Sequence, residues 1–116
     1  MKKQAVLTID DAPSSGMNEK LAFLASKGIH AIWFCNGVHL NAQREAALRA
    51  LREGHLLANH AWEHIRFSEH SFEEAQSQVR RTEQLLEALY REAGVRQEKR
   101  MFRFPFGDKG SSGYRP

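Results

Sequence analysis

Two acids stand side by side at Asp10 and Asp11, and two histidines stand four apart at His60 and His64. Further on runs the segment Arg103-Phe104-Pro105-Phe106-Gly107. A carboxylate with two imidazoles is a donor set for a catalytic divalent metal that keeps one position open for water. Such a metal acidifies water and polarises a carbonyl, and a second carboxylate beside it can serve as general base. Arg103 can orient a carboxylate such as Asp10, and the irregular backbone after it can offer N–H donors to an oxyanion. Each feature also has a bland reading: a capped turn for the acids, chance spacing for the histidines, an ordinary proline turn for the last. Position is what raises them, because the elements around them place all three at strand ends.

Those elements alternate short apolar runs with longer amphipathic ones. Gln4–Ile9 reads as a strand that stops at the two acids, and Met17–Lys27 as a helix with Leu21, Phe23, Leu24 and Ala25 near helical spacing. Gly28 stops it. Ile29–Cys35 is a second strand ending in the turn pair Asn36-Gly37. Asn41 is expected to cap a helix presenting Ala46, Ala47, Ala50 and Leu51, which Gly54 ends. His55–Asn59 is a third strand. Ser71 and Glu74 then form a capping-box pair ahead of a helix striped by Ala75, Val79, Leu85, Leu86 and Leu89, closed by Gly94. Met101–Phe104 is a fourth strand, broken by Pro105.

Four strands separated by helices predict an α/β fold of parallel βαβ units, about four strands with three helices. In such folds chemistry sits on the loops after the strands' C-terminal ends. His60 and His64 are expected to share one side of a helical turn. His30, His39, His55 and His70 lack a comparable partner and are assigned to surface or structural roles. Cys35 reads as a small apolar strand residue, not a nucleophile.

The chain has 116 residues, 41% hydrophobic and 27% charged, with 3 prolines and 8 glycines. These values exclude collagen-like, disordered and disulfide-scaffold classes. The net charge of +3 is too small an excess to argue for a nucleic-acid partner. No apolar run is long enough to span a bilayer. Lys2 and Lys3 begin like an export signal, but Asp10 and Asp11 interrupt the apolar run too early. A lone cysteine allows no intrachain disulfide and fits a reducing compartment.

The strings carrying this chemistry resemble the polysaccharide deacetylases, carbohydrate esterase family four, whose domain is also called the NodB homology domain. Leu7-Thr8-Ile9-Asp10-Asp11-Ala12-Pro13-Ser14 is similar to that family's first motif, usually Thr-Phe-Asp-Asp-Gly-Pro. Ala31-Ile32-Trp33-Phe34-Cys35-Asn36-Gly37 is similar to its second strand. Gly54-His55-Leu56-Leu57-Ala58-Asn59-His60-Ala61-Trp62-Glu63-His64 follows the second motif, and Arg103-Phe104-Pro105-Phe106-Gly107 the third. The resemblance implies that Asp10 is the catalytic base and that Asp11, His60 and His64 ligate a divalent metal. Zinc leads among the metals, with cobalt or nickel acceptable to the same donors. It also implies that Arg103 holds Asp10 and that the Phe106 backbone N–H helps bind the oxyanion, its ring mattering little. The implied substrate is an N- or O-acetylated glycan such as peptidoglycan or a chitin-like polymer.

Three departures follow from the same match. Ala12 replaces a glycine, and Ala61 replaces the Ser or Thr that usually braces the histidine loop, so metal binding is expected to weaken. The fourth and fifth motifs, the latter with the general-acid histidine, have no counterpart after Gly107. The implied fold is a distorted (β/α) barrel of a class needing about 200 residues or more. Residues 1–116 are therefore expected to form a single, incomplete domain. Self-association or a missing C-terminal half would complete it. The alternatives are a catalytically incompetent metal-binding fragment or a related amidohydrolase of cyclic amides. The sequence leaves the location open between a cytoplasmic chain and an excised or truncated form of a cell-wall-acting protein.

Overall fold

The computed structural model describes residues 7–107. They form β1 (Leu7–Ala12), α1 (Met17–Ser26), β2 (Ala31–Cys35), α2 (Gly37–Ala42), α3 (Arg44–Arg52), β3 (Leu56–Asn59) and α4 (Phe72–Ala93). Single 3-10 turns lie at Phe67–Glu69 and Pro105–Gly107. The three strands pair in parallel in the order β1-β2-β3, each joined to the next through helix. Ile9 lies opposite Trp33, and Trp33 opposite Leu57; Asp10 lies opposite Phe34, and Phe34 opposite Ala58. Side chains alternate along a strand, so Ile9, Trp33 and Leu57 face one way and Thr8, Asp10, Phe34 and Ala58 the other.

The first face carries the helices. Leu21 and Leu24 of α1, Leu48 and Leu51 of α3, and Leu86 and Leu89 of α4 close on Trp33 and Leu57 in one core. His55 sits inside this layer, where its Nδ1 accepts the Ala31 N–H at 3.0 Å and the Trp33 indole N–H at 3.1 Å. Its role is therefore structural. The Tyr90 hydroxyl accepts the Leu57 N–H at 2.9 Å and donates to the Leu57 carbonyl at 3.0 Å, covering part of the outer edge of β3.

The capping box forms as the sequence predicts. Ser71 Oγ accepts the Glu74 N–H and the Glu74 carboxylate accepts the Ser71 N–H, both at 3.1 Å, and Gly94 ends α4 at φ 74°. Among the described residues no helix is long and apolar enough to cross a membrane.

Several boundaries differ from expectation. β1 runs to Ala12, so both acids lie within the strand, while residues 4–6 of the expected strand lie outside the described residues. Asn36-Gly37 opens a helix instead of a turn, and Asn41 sits inside α2 because the chain breaks at Gln43 between α2 and α3. The helices therefore number four among the described residues, not three. The expected fourth strand at Met101–Phe104 shrinks to one parallel bridge, Asn59 with Phe102. Its Phe102 and Phe104 rings turn to Phe67, 5.8 and 5.3 Å away between centroids, and join a second small core with Ala61 and Ala75. Phe23 is 60% exposed and takes no part in the core.

Candidate active site

In an even strand, Asp10 and Asp11 would face opposite sides. A register shift between Asp10 and Ala12 marks a bulge, and Asp11 at φ 61° is its pivot. Bulges re-aim side chains, and here both acids end up around one arginine segment. Arg103 Nη1 donates to Asp10 Oδ1 at 2.8 Å and to Thr8 Oγ1 at 3.3 Å, while its guanidinium lies 4.2 Å over the Phe34 ring. Thr8, Asp10 and Phe34 share one sheet face by alternation, which is why a single side chain reaches all three.

Asp11 Oδ1 lies 3.1 Å from His60 Nε2 and 3.0 Å from His64 Nε2. The donor atoms of Asp11, His60 and His64 all fall within 4.8 Å of one another. His60 is 1% exposed, and its Nδ1 is 2.7 Å from the Arg103 carbonyl. A carbonyl only accepts, so Nδ1 carries the hydrogen and donates it. That contact turns the Nε2 of His60 toward the Asp11 carboxylate. One carboxylate and two imidazole nitrogens thus fit a divalent metal by chemistry as well as by spacing. Arg103 serves both halves, its side chain on Asp10 and its carbonyl behind His60.

The histidines do not converge on a helical turn. Residues 60–66 form an irregular loop in which Ala61 takes φ 72°. Asn59 holds it: Oδ1 accepts the Ala61 N–H at 2.9 Å and Nδ2 donates to the Val79 carbonyl at 2.9 Å. Phe106 at φ 60° sets its ring 4.2 Å from His64, with the Arg66 guanidinium 4.1 Å from the same ring. The Phe106 ring thus also packs against a candidate ligand. Asp11, Ala61 and Phe106 are all the non-glycine residues at positive φ among the described residues. Strained backbone of this kind clusters at functional sites.

The other histidines contribute no donor atom to the cluster, although His39 touches the Asp11 backbone. His39 Nδ1 is 3.3 Å from the Asp11 carbonyl, His30 packs edge-on to His55, and His70 lies 3.7 Å from Glu74. Cys35 is buried, and burial pushes its thiol pKa well up, against a smaller opposing backbone hydrogen bond from Ala58. It stays protonated and inert, as its place in a strand predicts. Sequence alone assigns no role to Thr8, Phe34, Asn36 or Asn59. All four lie inside strings that match the family, which is the signal that could have found them.

Comparison with known proteins gives the family. The family model described as polysaccharide deacetylase matches residues 1–112. The chain is 33% identical over 98 residues to the peptidoglycan-N-acetylmuramic acid deacetylase PdaC of Bacillus subtilis, covering 82% of this chain and 21% of that protein. It is 30% identical over 82 residues to the peptidoglycan-N-acetylglucosamine deacetylase PgdA of Listeria monocytogenes, covering 70% and 18%. The solved structure of B. subtilis PdaC superposes with a TM-score of 0.78 at 31% identity, over 89% of this chain and 49% of that one. A family 4 carbohydrate esterase from Streptomyces lividans, in complex with acetate, gives 0.78 at 27% identity, over 89% and 51%. The α/β arrangement, with its parallel sheet and outer helices, is part of the (β/α) barrel of these esterases. The chain belongs to the polysaccharide deacetylase family. It spans about half of the solved structures it matches and about a fifth of the curated relatives.

Proposed function

We propose that Asp11, His60 and His64 hold a divalent metal and that the chain carries the metal-and-base part of a glycan deacetylase site. The observation that carries this is the placement of three donor atoms within 4.8 Å of one another beside the Asp10–Arg103 pair. Zinc suits the donor set, and cobalt or nickel would bind the same atoms. When bound, the metal supplies Lewis acidity that polarises an acetyl carbonyl and acidifies water. Asp10 accepts the water's proton as general base, and Arg103 keeps that carboxylate aimed. The Phe106 backbone N–H is offered to the developing oxyanion. The acyl C–N or C–O bond breaks, acetate leaves with the water's oxygen, and the amine or hydroxyl takes a proton. That proton comes from solvent, from another subunit or back from Asp10. The expected substrate is an N- or O-acetylated glycan such as peptidoglycan, the substrate class named for PdaC and PgdA.

Acetate release from N-acetylglucosamine oligomers, with zinc or cobalt added, tests this. Asp10→Asn is expected to lower the rate by about 10²–10⁴. Equal release from both proteins removes the proposal. The same experiment separates a second reading, metal binding without turnover. Zinc uptake by calorimetry with no acetate release would establish it.

A further inference from the structure

We propose that Asn36 is a positioning residue for His60, an inference that rests on the assignment of His60 as a metal ligand. Asn36 stands at the end of β2, fully buried, at the N-cap position of α2. An asparagine there ordinarily turns its oxygen to the helix amides. This one makes no such bond. Its Nδ2 donates instead to the His60 carbonyl at 2.8 Å and reaches the Ala61 carbonyl at 3.5 Å. Those two acceptors fix the amide's orientation, since a flipped amide would set oxygen against oxygen. Oδ1 is left buried with no donor among the described residues. A buried acceptor without a donor lowers stability, so the side chain serves the loop more than the fold.

Neighbouring contacts complete the seat. The His60 N–H donates to the Cys35 carbonyl at 2.9 Å, and the Gly37 N–H donates to the Ala61 carbonyl at 3.0 Å. Trp62 lies so close over Gly37 that a Cβ there would fall 2.1 Å from its ring, and Arg81 lies 3.8 Å over the same ring. Together they hold Ala61 in its left-handed turn immediately after His60. Ala61 has no side-chain donor of its own, and Asn36 supplies the brace from the adjacent strand end.

The test compares Asn36→Ala and Asn36→Leu with wild type, and with exposed Asn41→Ala as control. Both Asn36 variants are expected to lose about 10–100-fold in zinc and cobalt affinity and to shift the visible spectrum of the cobalt form. In the metal-free chain, amide exchange at Gly37 and Ala61 should accelerate, with a fall in thermal midpoint too small to account for the loss of affinity. Unchanged affinity in both variants overturns the proposal, as does a loss matched by equal destabilisation of the metal-free chain. If wild type takes up neither metal, the metal assignment falls. Exchange at Gly37 and Ala61 then decides alone, and unchanged rates overturn the positioning role.

Discussion

His55 and His60 are both almost wholly buried, and their surroundings give them opposite uses. Burial first, then the neighbouring His30, holds the His55 pKa below its ordinary 6.5, with the Glu53 carboxylate opposing. The unfolded chain therefore takes up this proton at higher pH than the folded chain does. The stability it contributes is full above pH 6.5 and is lost as pH falls through the lower folded value. Urea unfolding from pH 8 to 5 should show a midpoint that drops below about 6.5, and His55→Phe should flatten that slope. The variant should also lose about 1–3 kcal/mol at pH 8, because the Ala31 and Trp33 N–H groups lose their acceptor. An unchanged slope in the variant would rule this out. The candidate site residues are legible in the sequence because packing alone seldom calls for a carboxylate and two imidazoles at strand ends. Asn36 is not, since its role exists only through a contact with a residue 24 positions away.

Local signals predict the elements well and their joints poorly. The Ser71–Glu74 box is readable because both partners lie in one turn, and Ser71→Ala is expected to lower stability by about 1 kcal/mol in chemical denaturation. No change would mean that packing alone sets the start of α4. The end of β1 is unreadable, because adjacent acids disfavour strand and only pairing with Phe34 and Cys35 keeps Asp10–Ala12 in the ladder. Gln43 likewise carries no sequence mark of the break between α2 and α3. Met101–Phe104 has a strand's composition, yet Pro105 removes a donor and the aromatic rings prefer Phe67. The histidine loop departs from expectation for a similar reason. Spacing of four implies a helix only where nothing else closes the turn, and Asn59 closes this one.

At the scale of the molecule, the order β1-β2-β3 leaves the outer side of β1 without a strand partner among the described residues. Phe67, Phe72, Val79, Phe102 and Phe104 also line an open apolar hollow beside the sheet, and Phe72 is 60% exposed. Open edges and apolar surface of this kind promote association. Sedimentation of the isolated chain is expected to show a mass that rises with concentration above 13.3 kDa. A constant monomer mass would contradict it. The Arg103–Asp10 ion pair has a consequence of another kind, because it joins positions 93 apart. A chain made from its N-terminus completes β1, β2, β3 and all of α4 before Arg103 exists. Until then Asp10 lacks its guanidinium and His60 lacks the carbonyl that orients it. The nascent chain can thus gather its helices on the sheet early, while the proposed site waits for one late arginine.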